Sequence, residues 1–165
     1  MPRVYVSVGS NVDRERNIRG AVDALRARFR GVALSRVYET QAEGFDGENF
    51  YNLVAAFDTD EPIERVRDAV GQIEAAHGRT RNTERFGPRT LDIDILLYGD
   101  LVRHQGRVDI PRAEIFRWPF VLGPLAEIAP DARHPETGTA FAQLWREFEG
   151  HKELRVVSLD LTSRA

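Results

Sequence analysis

The 165-residue chain predicts an α+β fold: a ferredoxin-like sandwich with an antiparallel sheet, helices on one face and extra elements after residue 98. Three observations carry this expectation. Strand and helix periodicities follow one another in the order β-α-β-β-α-β up to Tyr98, the order of a split βαβ pair. Each helical stretch has one apolar stripe, which suits a helix laid on a sheet. With 42% hydrophobic and 30% charged residues, the chain reads as a single domain over residues 1–165. A domain of this size buries roughly two-thirds of its unfolded surface.

Each element has its own signal. Val4-Tyr5-Val6-Ser7-Val8 alternates as a strand and is released by the turn Gly9-Ser10-Asn11. That turn suits either a simple N-cap or an anion held at a helix start. Ile18, Val22, Leu25 and Phe29 then recur at helical spacing, with Asp13 and Glu15 at the positive end and Gly31 closing. Val32 to Tyr38 reads as a second strand, followed by an acidic, glycine-containing loop from Glu39 to Asn49. Phe50 to Phe57 is a third strand, with Phe50, Asn52, Val54 and Ala56 on one face and Tyr51, Leu53, Ala55 and Phe57 on the other.

Asp60-Glu61-Pro62 starts a second helix, with Pro62 near its first position. Its stripe is Ile63, Val66, Val70, Ile73 and His77, and Gly78 stops it. His77 reads as a packed or dipole-facing histidine. Beyond Tyr98-Gly99-Asp100, two short strands at Leu101-Val102 and Val108–Ile110 flank the turn Gln105-Gly106-Arg107. A proline-bounded helix over Phe120–Pro130, a last helix bearing Phe141, Leu144, Trp145 and Phe148, and a strand within Leu154–Leu161 complete the expected order.

The chemistry is concentrated between Arg79 and Tyr98. A polar loop with arginines at 79, 81, 85 and 89 runs into an apolar strand that begins with Asp92 and Asp94. Side chains two apart on a strand leave the same face, so the two carboxylates lie side by side while Ile93 and Ile95 point away. Such a pair is costly without a compensating cation. Mg²⁺ suits it, because this ion takes one or two carboxylates and fills its other sites with water and phosphate oxygens. The planar guanidinium forks suit phosphates. Two readings of this stretch remain open: a metal-assisted phosphoryl-transfer site, or a solvated loop entering a strand whose acids face water. Phe50 and Asn52 similarly read either as a ring and an amide for a flat heterocycle or as an edge strand with a backbone-satisfied amide.

Composition narrows the function classes. The formal charge of −3 draws the protein to neither nucleic acid nor an acidic membrane, and the arginine loop is a local positive island fitted to a small polyanion. Cysteine is absent, which excludes disulfides and thiolate metal sites. The start of the chain has no basic segment followed by an apolar run, and no stretch reaches the ~20 apolar residues that span a bilayer; a cytoplasmic protein is expected. The sequence has no Walker-type glycine-lysine loop, no Ser/His/Asp or Cys/His set and no RNP-like aromatic motif.

The run Arg85-Phe86-Gly87-Pro88-Arg89-Thr90-Leu91-Asp92-Ile93-Asp94-Ile95 resembles the signature of the 6-hydroxymethyl-7,8-dihydropterin pyrophosphokinases of folate synthesis. Phe120-Val121-Leu122-Gly123-Pro124-Leu125-Ala126-Glu127-Ile128-Ala129-Pro130 resembles a second segment of the same family. Together with looser similarity elsewhere, the resemblance covers about residues 3 to 130. It implies a ferredoxin-like fold and transfer of pyrophosphate from ATP to the hydroxymethyl group of a reduced pterin, with attack on the β-phosphorus and release of AMP. Asp92 and Asp94 would hold two Mg²⁺ ions. Arg79, Arg89 and Arg107 would hold phosphates, and Arg81 and Arg85 would join when the loop closes as a lid. Arg79, Arg85 and Arg89, with the two acids, form the implied catalytic set.

By the same resemblance, Glu74 and Ile95 would lie beside the nucleotide, as would Arg112, which stands where the family usually has histidine. Thr40, Glu43, Phe50, Asn52, Phe86 and Phe120 would form the pterin pocket. Asn82, the Gln41-Ala42 pair and Arg117-Trp118-Pro119 also depart from the family pattern. The partners implied are small molecules, with neither nucleic acid, nor a membrane, nor an obligate protein partner. A diverged paralogue acting on another pterin-like alcohol and a non-catalytic pterin- or nucleotide-binding module are the alternatives.

Overall fold

The structure, a computed structural model, describes residues 2–40, 49–78, 91–149 and 154–161. Along the chain run β1 (Arg3–Ser10), α1 (Arg14–Arg28), β2 (Arg30–Leu34), β3 (Val37–Thr40), β4 (Phe50–Asp58), α2 (Ile63–Ala76) and β5 (Asp92–Tyr98). After these come β6 (Arg103–Gln105), β7 (Val108–Ile110), α3 (Glu114–Arg117), α4 (Pro119–Ile128), α5 (Phe141–Glu147) and β8 (Arg155–Val157). The main sheet has the order β5-β1-β4-β3-β8, with β2 also paired to β4 and every pairing antiparallel. This is the expected ferredoxin-like sandwich.

Alternation along the strands builds two apolar layers. On one face Val4, Val6 and Val8 of β1, Leu53, Ala55 and Phe57 of β4 and Ile93 of β5 pack with Ile18, Ala21, Val22 and Leu25 of α1 and Val66, Ala69, Val70 and Ile73 of α2. Val54, Leu96 and Leu97 pack with Ile115, Val121, Leu122, Leu125, Ala126 and Phe141. The elements after residue 98 therefore place helices over part of the other face too, beyond the one-sided covering that the sequence suggested.

Several boundaries move for local reasons. Gly9 and Ser10 remain in β1, paired with Asn52 and Tyr51, so the turn falls at residues 11–13. Asp13 has φ 43° and caps α1 from the left-handed region rather than lying in its first turn. The helix ends at Arg28, before Phe29, which stacks on Phe57 at 3.9 Å between centroids. Gly31, expected to close that helix, lies in β2 at φ 63°, where the register with β4 shifts. Pro62 is the N-cap of α2 rather than its first residue. The first short strand of the hairpin is Arg103–Gln105 instead of Leu101-Val102, and the terminal strand shrinks to Arg155–Val157.

The expected second strand is split at Ser35-Arg36 into β2 and β3. Ser35 repairs the interruption. Its N–H donates to the Val54 carbonyl at 2.9 Å, and its Oγ accepts the Val54 N–H at 2.9 Å. A side chain thus replaces a missing rung of the central strand. Ser35→Ala leaves that buried N–H unpaired and is expected to destabilise the protein by about 1–3 kcal/mol, read as a lower urea midpoint at unchanged m-value.

The C-terminal layer also buries His134, only 1% exposed. Its ring lies 4.7 Å from Phe116 and 6.3 Å from Phe141, and its Nδ1 accepts the Glu136 N–H at 3.1 Å. Burial pushes its pKa below 6.5, with the Glu136 charge opposing in part. The unfolded chain binds this proton below pH 6.5 while the folded one resists it. The contribution to stability is therefore present above 6.5 and lost as pH falls through the lowered folded value. Exposed His104, held by the Asp109 and Glu136 carboxylates, is shifted upward and acts in the opposite sense: its contribution is present below 6.5 and lost as pH rises through its raised value. His134→Phe is expected to flatten the loss of melting temperature as pH drops below 6.5; a slope equal to that of the wild type would show that another group sets it.

Candidate active site

Register across the sheet assembles the candidate residues. Asp92 of β5 lies opposite Gly9 of β1, Gly9 opposite Asn52 of β4, and Asn52 opposite Tyr38 of β3. These residues form a row on the face turned away from α1 and α2. The next row sets Asp94 beside Ser7 and Ser7 beside Val54. On the other side Phe50 pairs with Thr40. The acids share one face, as expected, while Ile93 is buried in the opposite core and both carboxylates are half-buried.

Two strand spacings, about 10 Å, separate Asp92 from Asn52, and the residue between them is a glycine. Asn52 donates from Nδ2 to Thr40 Oγ1 at 2.7 Å, so Thr40 orients the amide. A Cβ added at Gly9 would lie 2.9 Å from Asn52 Oδ1 and 3.9 Å from the Phe50 ring. Gly9 thus leaves a floor of bare backbone between acids and amide. Phe120 stands at the start of α4, packed on the layer that covers Val54 and stacked with Trp118 at 5.6 Å. Phe50, Asn52, Thr40, Phe120, Asp92 and Asp94 therefore all belong to one side of the sheet.

Other candidates lie around this face. Arg112 donates from Nε to Glu114 at 2.7 Å, and its N–H reaches the Leu96 carbonyl at 3.1 Å. Burial pulls its pKa down, but the Glu114 hydrogen bond and the charges of Asp94, Glu114 and Asp109 outweigh this and raise it. An arginine here carries its charge at every accessible pH, toward Asp94. Glu74 accepts the Ile93 N–H at 3.0 Å, tying α2 to the outer edge of β5. Ile95 sends its side chain away from the acids, onto both the helix-side core and the Ile63, Val108 and Ile110 cluster. Arg107 is exposed at the β6–β7 turn. Arg79, Arg81, Arg85, Phe86, Arg89 and Glu43 lie outside the described residues.

Three features had no signal in the sequence. Gly9 looked like a turn residue, and only the register shows it as the floor. Tyr38 donates its hydroxyl to Glu127, 89 positions away, a separation that no local pattern reports. Arg14, at the start of α1, bonds Glu39 Oε2 and the Asn49 carbonyl, each at 2.9 Å, and lies over the Tyr51 ring at 4.0 Å.

The donor set fits a hard cation. Two carboxylates side by side on an edge strand offer oxygen ligands only, and no group of three or more His, Cys, Asp or Glu residues among the described residues could hold a metal by itself. That combination suits Mg²⁺, which completes its shell with water and phosphate oxygens, better than zinc, which prefers a nitrogen and sulfur cage.

The fold defines a class, the ferredoxin-like α+β sandwiches, and the candidate residues gather on the sheet face turned away from α1 and α2. The family model described as 7,8-dihydro-6-hydroxymethylpterin-pyrophosphokinase matches residues 5–130, and the chain belongs to that family. The 2-amino-4-hydroxy-6-hydroxymethyldihydropteridine pyrophosphokinase of Pseudomonas aeruginosa is 42% identical over 138 residues, covering 81% of this chain and 85% of the relative. The Bacillus subtilis protein of the same name is 33% identical over 157 residues, covering 90% and 93%. The crystal structure of wild-type Plasmodium falciparum HPPK-DHPS aligns with a TM-score of 0.69 at 13% identity; it covers 89% of this chain, which spans 44% of that longer one, and shares the fold.

Gly9→Ala is expected to push the Asn52 amide off Thr40 and raise the pterin KM by about tenfold or more, with the ATP KM nearly unchanged. Equal pterin KM values would remove Gly9 from the floor of the pocket.

Proposed function

We propose that this protein transfers pyrophosphate from ATP to 6-hydroxymethyl-7,8-dihydropterin, yielding the pterin diphosphate and AMP in folate synthesis. The observation that carries this reading is the row Asp92-Gly9-Asn52, which, with Asp94 in the adjoining row, sets paired acids and an oriented amide on either side of a bare backbone floor. Family membership supports it, and two relatives over 30% identical bear the pyrophosphokinase name.

In this reading the pterin lies over Gly9 between the rings of Phe50 and Phe120, its ring N–H and carbonyl groups matched by Asn52 and Thr40. Glu43 and Phe86 complete that pocket. Asp92 and Asp94 would hold Mg²⁺, two ions by the family resemblance, which when bound neutralises phosphate charge and lowers the pKa of the attacking hydroxyl. Arg112 brings fixed positive charge to the same corner, toward the polyphosphate. Arg79, Arg89 and Arg107 hold phosphates, and Arg81 and Arg85 add their charges as the complex forms. Glu74 fixes the edge of β5, and Ile95, whose main chain lies on that edge two residues beyond the Ile93 N–H, borders the nucleotide. Substrate alignment and charge neutralisation, rather than a protein nucleophile, supply the rate enhancement.

The test is product analysis with Mg²⁺-ATP and the pterin. AMP and pterin diphosphate are expected in equal amounts. ADP would indicate transfer of a single phosphoryl group, and tight binding without turnover would indicate a regulatory module. Asp94→Ala is expected to lower kcat at least about a hundredfold while the circular dichroism spectrum and melting temperature stay near wild type; retained turnover would remove Asp94 from the metal site.

A further inference from the structure

The pterin pocket of this reading has two walls on separate elements. Thr40, Phe50 and Asn52 belong to β3 and β4, whereas Phe120 belongs to α4. Burial of Val54 among Leu122, Leu125 and Val121 holds α4 on the sheet, but apolar packing is non-directional and does not fix the width of a slot to a fraction of an ångström. A directional contact between the two walls lies at residue 127.

Glu127 is seven residues after Phe120. Seven residues turn a helix by about two full turns and advance it about 10.5 Å, so both side chains leave the same side of α4. Tyr38 is two residues before Thr40 and directly opposite Asn52, hence on the same face of the sheet as the pocket. Tyr38 donates its hydroxyl to Glu127 Oε1, and the Arg36 N–H donates to Oε2 at 2.8 Å. Arg36 adds its Nε at 3.5 Å from Oε1 and places its guanidinium 5.7 Å from the Tyr38 ring centre. Both oxygens of one carboxylate therefore grip β3 and the break before it.

We propose that Glu127, through Tyr38 and the Arg36 main chain, is a positioning residue that sets the gap between Phe120 and the Asn52–Thr40 wall, and so sets affinity for the pterin. This rests on the functional reading above. The contact is suited to the role. Tyr38 is 4% exposed, so water has little access to its hydroxyl, while Glu127 and Arg36 meet solvent on their outer side. Burial first, and Glu127 second, push the Tyr38 hydroxyl up to about 12, so it remains a donor at every working pH. The contact touches neither Asp92 nor Asp94, and its loss is expected to act on the pterin side alone.

Steady-state kinetics on Tyr38→Phe, Glu127→Ala and Glu127→Gln decide the matter. Tyr38→Phe and Glu127→Ala are expected to raise the pterin KM about tenfold, with the ATP KM within about twofold of wild type. Glu127→Gln is expected to rescue, because its carbonyl accepts from Arg36 and its amide donates to the tyrosine oxygen. Unchanged pterin KM in both disruptive variants overturns the proposal. So does a parallel rise of both KM values with a lowered melting temperature, the mark of a merely structural bond, and so does a Gln variant as impaired as Ala. Should Glu127→Ala not fold, the milder pair Tyr38→Phe and Glu127→Gln still gives the comparison. Wild-type protein that makes no AMP and pterin diphosphate would instead defeat the functional reading itself.

Discussion

The molecule depends on how β1 is registered between β4 and β5. Strand side chains alternate with a period of two, so a slip by one residue would exchange the faces. Val4, Val6 and Val8 would lose the helix-side core, Asp92 would lose its position across Gly9 from Asn52, and Asp94 its place beside Ser7. Registration is secured by burial: these three valines are at most 1% exposed, and each buried aliphatic side chain is worth about 1.5–3 kcal/mol. The same apolar contacts that stabilise the fold therefore aim the acids.

Charge is distributed with the same economy. The half-buried acids repel each other and need a positive environment. Arg112, partly neutralised by Glu114, lends part of it, and the arginine-rich stretch from Arg79 to Arg89 holds more positive charge in sequence next to β5. A protein of net charge −3 thus carries a run of positive charge next in sequence to its acid-bearing strand, while its overall charge does not draw the whole molecule to polyanions.

The fold was legible because its signals are local and repeated. The valine alternation of β1, the stripe Ile63, Val66, Val70 and Ile73, and the two faces of β4 each follow from one periodicity and appear as expected. Boundaries were less so: the break at Ser35-Arg36 depends on a hydroxyl replacing a backbone rung on another strand, and propensity carries no information about that. The same division holds for the site. The shared face of Asp92 and Asp94 was visible from spacing, whereas residue type left Phe50 and Asn52 open between a heterocycle pocket and a plain edge strand. Gly9 and the Tyr38–Glu127 bond were not visible, because their meaning arises only when distant segments are paired. The covering of the second sheet face by α3, α4 and α5 was hidden for a related reason: α4 is apolar nearly all round, with Val121 to Ala126 consecutively buried, and so has no stripe to announce which surface it meets.

The contacts of Arg14 have a consequence for how the stretch between β3 and β4 of this chain can vary in length. One guanidinium joins Glu39 to the carbonyl of Asn49, so the two ends of the intervening stretch are pinned to the start of α1 whatever lies between them. Closing a longer excursion between fixed anchors adds little free energy, about 0.6 kcal/mol for each doubling. Insertions and deletions between those anchors can thus accumulate during divergence without disturbing the strands on either side.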